Sequence, residues 1–260
     1  MQRFKGKVAI VAGGARGLGG SAAEELAREG ARVVVADTNR ELGTDLAESI
    51  GRGRATFVEV DVRSPDACAN AIAAAERSFG PPDLLVNSAI SINGAALLEL
   101  DLEAWNTTLN VGLTGTFLMA QAFARSAAGS QRRGAIVNLS SVAAFNPYGG
   151  AGAYSTVKAA IVHLTQLMAL EWAPHRIRVN AVAPGTVETP LTAYLKDPDV
   201  RRGRTATIPL GRIGQPLDVA KSILFLLSDD ADWITGSTLA VDGGFNNSLM
   251  NHIPGRNWSK

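Results

Sequence analysis

A tyrosine and a lysine four positions apart, Tyr154 and Lys158, are the residues of this 260-residue chain best suited to acid–base chemistry. Within a segment of helical periodicity, this spacing places both side chains on one face. A free tyrosine has a pKa of about 10, and a neighbouring ammonium lowers it towards a value useful for proton transfer. Ser141, thirteen residues before Tyr154, offers a hydroxyl that can bind a substrate oxygen. The three residues predict proton transfer at an alcohol or a carbonyl, although a surface pair is the ordinary alternative for Tyr154 and Lys158 alone.

A glycine-rich loop near the N-terminus supplies the missing context. Residues 13–19 read Gly-Gly-Ala-Arg-Gly-Leu-Gly between a strand-like run and a segment of helical periodicity. Glycines at these positions permit a tight turn and a close approach of a pyrophosphate to the N–H groups of the helix. A simple strand-to-helix turn is the alternative. The predicted cofactor contacts are Gly13, Arg16, Gly17, Leu18 and Gly19.

Asp37, eighteen positions after Gly19, bears on the choice between NAD and NADP. A carboxylate at the end of the second strand can accept hydrogen bonds from the adenosine ribose and repel a 2′-phosphate. Arg16 favours the opposite choice, because a cation in the loop attracts that phosphate. A carboxylate beside the ribose must be neutralised before a phosphate binds, so NAD is predicted and NADP is less favoured. Asp37 also suits the start of a turn.

Strand and helix patterns alternate along the chain and predict one α/β domain over residues 1–260. Short apolar runs suit strands buried on both faces, and right-handed crossovers between them give a mainly parallel sheet of about seven strands. Such a doubly wound, Rossmann-like sheet binds ligands beyond the carboxyl ends of its strands. The predicted strands are Val8 to Ala12, Val33 to Ala36, Phe57 to Val60, Leu84 to Val86, Ala135 to Leu139, Ile177 to Val182 and Leu239 to Val241. The predicted helices are Ser21 to Glu29, Glu41 to Ile50, Pro65 to Phe79, Val111 to Ala128, Ala153 to Trp172 and Pro216 to Leu227.

Composition favours a small-molecule partner. The 25 basic and 24 acidic residues nearly balance, so the chain has no strong positive charge that would attract a nucleic acid or an anionic membrane. Cys68 is the single cysteine, which excludes an internal disulfide and fits a cytoplasmic location. The chain shows no secretory signal and no apolar run long enough to span a bilayer. His163, His175 and His252 lack the spacing of a metal site, so no metal is predicted.

Two segments are expected to lie outside the regular alternation. Residues 188–215 predict an irregular substrate lid, and residues 246–260 predict a tail or a subunit-contact arm. Three arginines of the lid could attract a carboxylate or the phosphate of a thioester carrier, but a solvated loop face is the preferred interpretation. These arginines are Arg201, Arg202 and Arg204. An apolar lid wall is predicted from Leu191, Tyr194 and Leu195.

From about Phe4 to Phe245 the chain resembles the short-chain dehydrogenase/reductase family. The order of its motifs carries the resemblance, which is much more specific than any motif alone. Those motifs are the glycine loop, Asn87-Ser88-Ala89, Asn110, Ser141, Tyr154-x-x-x-Lys158, Pro184-Gly185 and Asp242-Gly243-Gly244.

The resemblance implies roles that spacing does not show. Asn110 would be a fourth catalytic residue, which bends its helix and holds a water in a proton relay through Lys158; a helix cap is the alternative. After Pro184 and Gly185, the backbone of Val187 and the hydroxyl of Thr189 would contact the nicotinamide end. Lys158 would also hold the nicotinamide ribose.

Four residues at the ends of the third and fourth strands are predicted to face the adenine or to stabilise the crevice: Asp61, Val62, Asn87 and Ala89. Strand capping is the alternative for Asp61. Two departures from the family pattern accompany them. Ala12 replaces a threonine that ties strand ends together, and Ile90 replaces a glycine, which is expected to narrow the pocket or to shift the loop that follows.

The predicted function is NAD-dependent interconversion of a secondary alcohol, cyclic or polyol, and its ketone. Tyr154 would exchange the proton while hydride passes to or from the nicotinamide. An NADPH-dependent 3-oxoacyl thioester reductase is the enzymatic alternative, and a dinucleotide sensor without turnover is the remote one. By resemblance, the helices Val111 to Ala128 and Ala153 to Trp172 would form the dimer contact of a homotetramer.

Overall fold

The computed structural model describes residues 2–248 and residue 250, and its centre is a parallel sheet of seven strands in the order β3-β2-β1-β4-β5-β6-β7. The predicted fold class is confirmed. All neighbouring strands run parallel, so their carboxyl ends share one edge of the sheet. The strands are β1 Val8–Ala12, β2 Arg32–Asp37, β3 Ala55–Glu59, β4 Leu84–Asn87, β5 Gly134–Leu139, β6 Ile177–Pro184 and β7 Thr238–Val241.

Eight α-helices connect and cover the strands of the described chain. They are α1 Gly17–Arg28, α2 Arg40–Ile50, α3 Pro65–Ser78, α4 Leu102–Leu109, α5 Gly115–Gly129, α6 Tyr154–Trp172, α7 Pro198–Ala206 and α8 Pro216–Leu227. The prediction of one helix from Val111 to Ala128 was wrong at its start. A helical path already begins at Leu102, and a π-helical segment, Asn110–Thr114, joins α4 to α5. No helix in the described part has both the length and the apolar composition needed to cross a membrane.

Two apolar layers enclose the sheet, one on each face. Along β1, Ala9 and Val11 pack into one layer, whereas Val8 and Ile10 pack into the other, as the period of two in a strand requires. The outer strands differ from the prediction of burial on both faces. β3 and β7 are edge strands whose residues are half-buried or exposed, because only one neighbour covers each of them.

The segment predicted as a lid, residues 188–215, is more regular than its sequence indicated. A 3₁₀ segment, Pro190–Lys196, leads into α7, whose start is capped by the Asp197 carboxylate. Leu195 packs with Ile208 and Ile213 in a small cluster of its own, so it belongs to the base of the lid rather than to its wall. Of the predicted tail, residue 249 and residues 251–260 lie outside the described residues.

Candidate active site

A cavity of about 820 Å³ lies beyond the carboxyl ends of the strands. Its lining brings together most of the residues predicted from the sequence: Gly13, Arg16, Gly17, Leu18, Asp37, Asp61, Val62, Ala89, Ser141, Tyr154, Lys158, Pro184, Gly185, Val187 and Thr189. Within the described part of the chain, Gly19, Asn87 and Asn110 are not part of that lining. The shared edge of a parallel sheet explains why segments so distant in sequence meet here.

The glycine loop has a backbone that only glycine adopts without strain. Gly13 has a φ of 72°, and a Cβ there would lie 2.5 Å from the backbone nitrogen of Ala89. The Ser88 N–H donates to the Ala12 carbonyl at 2.8 Å. The backbone therefore ties the ends of β1 and β4 together without a polar side chain at position 12.

Gly19 and Asn87 support the site without facing it. A Cβ on Gly19 would overlap the Gly13 carbonyl oxygen, so this glycine allows α1 to pack under the loop. The Asn87 side chain is buried and donates to the Asn138 Oδ1 at 2.9 Å. Both were predicted as cofactor contacts, but their placement indicates a packing role and a strand-tying role, respectively.

Asp37 is half-buried at the end of β2 and lines the cavity. Its Oδ2 accepts a hydrogen bond from the Ala15 N–H at 3.0 Å, and its Oδ1 accepts one from the Asn39 N–H at 3.0 Å. The carboxylate thus serves the turn chemistry foreseen as its alternative role. Each of its oxygens retains a lone pair that a ribose hydroxyl could use.

At the next strand end, Asp61 forms an ion pair with Arg63 at 2.6 Å. A hydrogen bond from Arg63 lowers the pKa of the Asp61 carboxyl, more than burial raises it. Val62 is buried beside it and lines the cavity. These residues form an edge of mixed polarity that suits an adenine ring.

The three candidate catalytic residues, Ser141, Tyr154 and Lys158, lie close together beyond the end of β5. Ser141 follows the strand and is 7% exposed, and its Oγ accepts a hydrogen bond from the Ala143 N–H at 3.1 Å. Tyr154 is the first residue of α6, and Lys158 lies one turn later. The Lys158 Nζ is 5.6 Å from the centre of the Tyr154 ring and donates to the Leu139 carbonyl at 2.6 Å.

Burial dominates the electrostatics of this group. Burial raises the pKa of Tyr154, and a hydrogen bond with Ser141 opposes that rise. Burial also lowers the pKa of Lys158 to about 7. The expectation that the Lys158 ammonium lowers the tyrosine pKa is therefore not met. The physical reason is that both groups lose water, which disfavours the charged form of each.

The structure corrects the expectation for Asn110. The π-helical segment does begin there, where a bend was implied, and the Gly115 N–H donates to the Asn110 carbonyl. However, Asn110 is exposed, and it is not among the described residues that line the cavity. From this position it has no access to a relay through the buried Lys158.

The Ile90 side chain packs against Gly112, which lies within the π-helical segment. Ile90 lines the cavity, and a Cβ on Gly112 would lie 2.7 Å from both the Ile90 Cδ1 and the Val157 Cγ1. The branched side chain at position 90 is therefore accommodated because position 112 has no side chain. Sequence patterns do not reveal this pairing, since the two residues are 22 positions apart.

We expect Asn110→Ala to change kcat/KM less than about threefold, because the substitution keeps the backbone carbonyl that accepts the π-helical hydrogen bond. Steady-state kinetics measure this. Ile90→Asn, which puts an amide into the cavity lining, is the comparison and should reduce activity more. A loss of tenfold or more in Asn110→Ala would restore the relay role.

The segment after β6 forms the remaining wall. The Gly185 N–H donates to the Val241 carbonyl at 3.1 Å, and a Cβ on Gly185 would lie 2.7 Å from the Asp242 Cβ. The Val187 carbonyl accepts from the Thr192 hydroxyl at 2.7 Å. Thr189 is half-buried in the lining, which supports its predicted contact with the nicotinamide end.

The segment predicted as a lid adds one residue to the cavity that the sequence analysis placed elsewhere. Arg204 was assigned to a solvated face, but it lines the cavity together with Tyr148, Leu191 and Tyr194. Its guanidinium carbon lies 5.5 Å from the centre of the Tyr148 ring and 5.6 Å from that of Tyr194. Periodicity could not reveal this, because the direction of an α7 side chain depends on how the lid packs.

Comparison with known proteins identifies the family. A family model described as enoyl-(acyl carrier protein) reductase matches residues 13–246. A 2,5-dichloro-2,5-cyclohexadiene-1,4-diol dehydrogenase of Sphingobium indicum is 39% identical over 245 residues, which cover 94% of this chain and 97% of that relative. The chain belongs to the short-chain dehydrogenase/reductase family.

Other members of the short-chain dehydrogenase/reductase family agree in length. A cis-4-hydroxycyclohexanecarboxylate dehydrogenase of Sinomonas cyclohexanicum is 41% identical, with 94% of this chain and 98% of that relative covered. A crystal structure of a putative short-chain alcohol dehydrogenase from Sinorhizobium meliloti superposes with a TM-score of 0.88 at 37% identity, covering 94% and 98% of the two chains. Relatives named 3-oxoacyl-[acyl-carrier-protein] reductase reach 39% identity. The protein is therefore an oxidoreductase.

Proposed function

We propose that this short-chain dehydrogenase/reductase interconverts a secondary alcohol, cyclic or polyol, and its ketone with NAD as cofactor. The observation that carries the proposal is the convergence of Ser141, Tyr154 and Lys158 in one cavity with the glycine loop. Relatives that act on a cyclic diol and on a hydroxycyclohexanecarboxylate support the substrate class.

The residues of the cavity fit a dinucleotide. Gly17 has a φ of 61°, and a Cβ there would meet nothing closer than 3.9 Å, so the loop presents open backbone at the start of α1. Helix N-termini stabilise phosphates through free N–H groups and the helix dipole. Asp37 would hold the adenosine ribose, and Lys158 the ribose of the nicotinamide half.

The nicotinamide ring of a bound dinucleotide supplies the hydride acceptor in oxidation and the hydride donor in reduction. For oxidation, Ser141 donates a hydrogen bond to the substrate oxygen. Tyr154, as phenolate, takes the hydroxyl proton, while the carbinol C–H bond breaks and releases its electron pair as hydride. In reduction, the Tyr154 hydroxyl returns the proton to the carbonyl oxygen. Negative charge that develops on Tyr154 favours the charged form of Lys158, although burial alone keeps the pKa of that lysine low. The ammonium then stabilises the phenolate.

The preference for NAD is supported by Asp37. We expect the wild type to favour NAD over NADP by about 100-fold in kcat/KM, because a 2′-phosphate beside a carboxylate costs on the order of 2–3 kcal/mol. Asp37→Asn keeps one oxygen for the loop N–H and removes the charge. It should bring the ratio near unity, with Arg16 then able to attract the phosphate.

Parallel assays with both cofactors test the cofactor and the function together. The panel contains secondary alcohols, cyclic diols, polyols, steroids and 4-hydroxycyclohexanecarboxylates, and NADH fluorescence records turnover. A strong NADP preference in the wild type would overturn the cofactor assignment. Selective reduction of 3-oxoacyl thioesters would favour the alternative reductase. Binding of NADH with no turnover across the panel would favour a sensor.

The proposed assembly is a homotetramer built on a homodimer. Phe117 on α5 and Leu167 and Leu170 on α6 are 37%, 47% and 76% exposed, which supports α5 and α6 as the dimer contact. The proposed location is the cytoplasm, where the single cysteine would stay reduced. Cys68 is buried, and burial raises the pKa of its thiol to about 11, which makes it unreactive.

A further inference from the structure

Arg204 lies where it can select the substrate. We propose that its guanidinium binds a carboxylate of the substrate, so that the enzyme acts on a hydroxy acid whose carboxylate is remote from the reacting carbon. This inference rests on the proposed function and deepens it by naming a charged group that the alcohol must carry.

Arg204 lies at the end of the cavity that contains Tyr154, which we call the catalytic end. Its two aromatic neighbours, Tyr148 and Tyr194, both act electrostatically on the Tyr154 phenol, so the three rings share one region. Arg16 and Arg63, the other arginines of the lining, belong to the glycine loop and to the end of β3, at the opposite, adenosine end.

The partners of the three lid arginines separate Arg204 from the others. Arg201 pairs with Glu188 at 2.5 Å, and Arg202 pairs with Asp199. The ion pairs of the described residues include none for Arg204, whose Nη1 donates to the Tyr148 hydroxyl at 3.3 Å. Residue 249 and residues 251–260 contain no aspartate or glutamate in the sequence.

Among the described residues, the half-buried Arg204 guanidinium has one side-chain hydrogen-bond partner, the Tyr148 phenol, which leaves it poised for an anion. Guanidinium forms two parallel hydrogen bonds with a carboxylate, and stacking on aromatic rings fixes its plane. The Nη2 and Nε groups are the donors left for this purpose. Apart from Lys158, Arg204 is the only cation in the described lining at this end. One cation matches a carboxylate monoanion better than a phosphate dianion.

The test compares matched substrates that differ in charge alone. We expect the wild type to prefer 4-hydroxycyclohexanecarboxylate over 4-hydroxycyclohexanecarboxamide by about 100-fold in kcat/KM. Arg204→Met should remove this preference by lowering kcat/KM for the acid about 100-fold, while the amide changes less than threefold. Arg204→Lys should restore part of the loss. Arg202→Met, an exposed change on the same helix, should leave both values unaltered.

The outcomes separate this inference from the proposed function. Turnover of the amide by the wild type supports the dehydrogenase whatever happens to the acid. Equal rates for acid and amide, or equal losses on both in Arg204→Met, would overturn the role of Arg204. Calorimetric titration of cyclohexanecarboxylate into the NADH complex gives a readout without turnover. Binding that is equal in the wild type and in Arg204→Met, or preference for a phosphate ester, would also refute the proposal.

Discussion

Tyr154→Phe is expected to reduce kcat by about 1,000-fold or more and to leave the Kd for NADH within about twofold. The substitution removes only the phenolic oxygen, so the ring still packs at the start of α6, but the proton has no carrier. Stopped-flow or steady-state assays measure kcat, and NADH fluorescence titration measures binding. Retention of a tenth of the activity would refute the assigned role.

Tyr148→Phe is the matched control, because it removes the same oxygen from a second tyrosine in the same cavity. The Tyr148 hydroxyl accepts a hydrogen bond from Arg204, and the proposed mechanism gives it no part in proton transfer. We therefore expect a change in KM and a fall in kcat of less than about tenfold. Comparable losses in both variants would mean that the cavity needs phenols for packing.

The Tyr154 phenol also sets how the reaction rate depends on pH. Burial raises the pKa of Tyr154, so the phenol is the main form near neutral pH and the phenolate grows only as the pH rises towards that pKa. Oxidation, which needs the phenolate, should accelerate with increasing pH. Reduction, which needs the phenol, should change little through neutral pH and slow only as the pH approaches the raised pKa. Initial rates in both directions over the range of pH check these two profiles.

Lys158→Met is expected to abolish most activity and yet to stabilise the protein measured without added dinucleotide. Lys158 is 4% exposed and has its pKa lowered from 10.5 to about 7 by burial. Below pH 7 the buried ammonium is charged, and the lowered pKa corresponds to a penalty of roughly 5 kcal/mol as an upper limit. Methionine fills a similar volume without a charge.

The sign of the pH effect can be derived from proton binding. Between pH 7 and pH 10.5 the lysine binds a proton in the unfolded chain but not in the folded protein, so folding stability rises with pH. The advantage of Lys158→Met should therefore shrink by about 1.4 kcal/mol per pH unit above pH 7. The raised pKa of Cys68 acts in the opposite direction, but it is present in both proteins and cancels in their difference.

Urea denaturation at pH 7, 8 and 9 measures the difference in the free energy of unfolding. Lys5→Met is the control, because it makes the same substitution at an exposed position. A constant difference between wild type and Lys158→Met across this range would contradict the lowered pKa. Activity should fall at least about 100-fold in Lys158→Met, since the variant has no amine that can take up a proton and stabilise the phenolate as it forms.

Much of the fold was accessible from the sequence because buried parallel strands are continuous apolar runs. β1 has the predicted bounds, and each of the other strands differs from its prediction by one or two residues at one or both ends. The start of α1 was missed because glycines, poor helix formers, occupy its first turn. Periodicity missed α4 and the π-helical segment, where only the resemblance implied a bend. The Gly115 N–H donates to the Asn110 carbonyl and the Thr116 hydroxyl donates to the Gly112 carbonyl at 2.6 Å, and periodicity reports neither bond.

Residue types alone were enough to identify the glycine loop, the Asp37 carboxylate and the candidate catalytic residues Ser141, Tyr154 and Lys158, because backbone freedom and functional-group chemistry belong to the residue type. Burial and side-chain direction depend on how the chain packs and required the three-dimensional structure. Burial sets the pKa values of Tyr154 and Lys158, and packing across the sheet edge moved Asn110 out of the site. Three arginines alike in sequence differ only because the rotation of α7 against the domain directs Arg204, and not the other two, into the cavity.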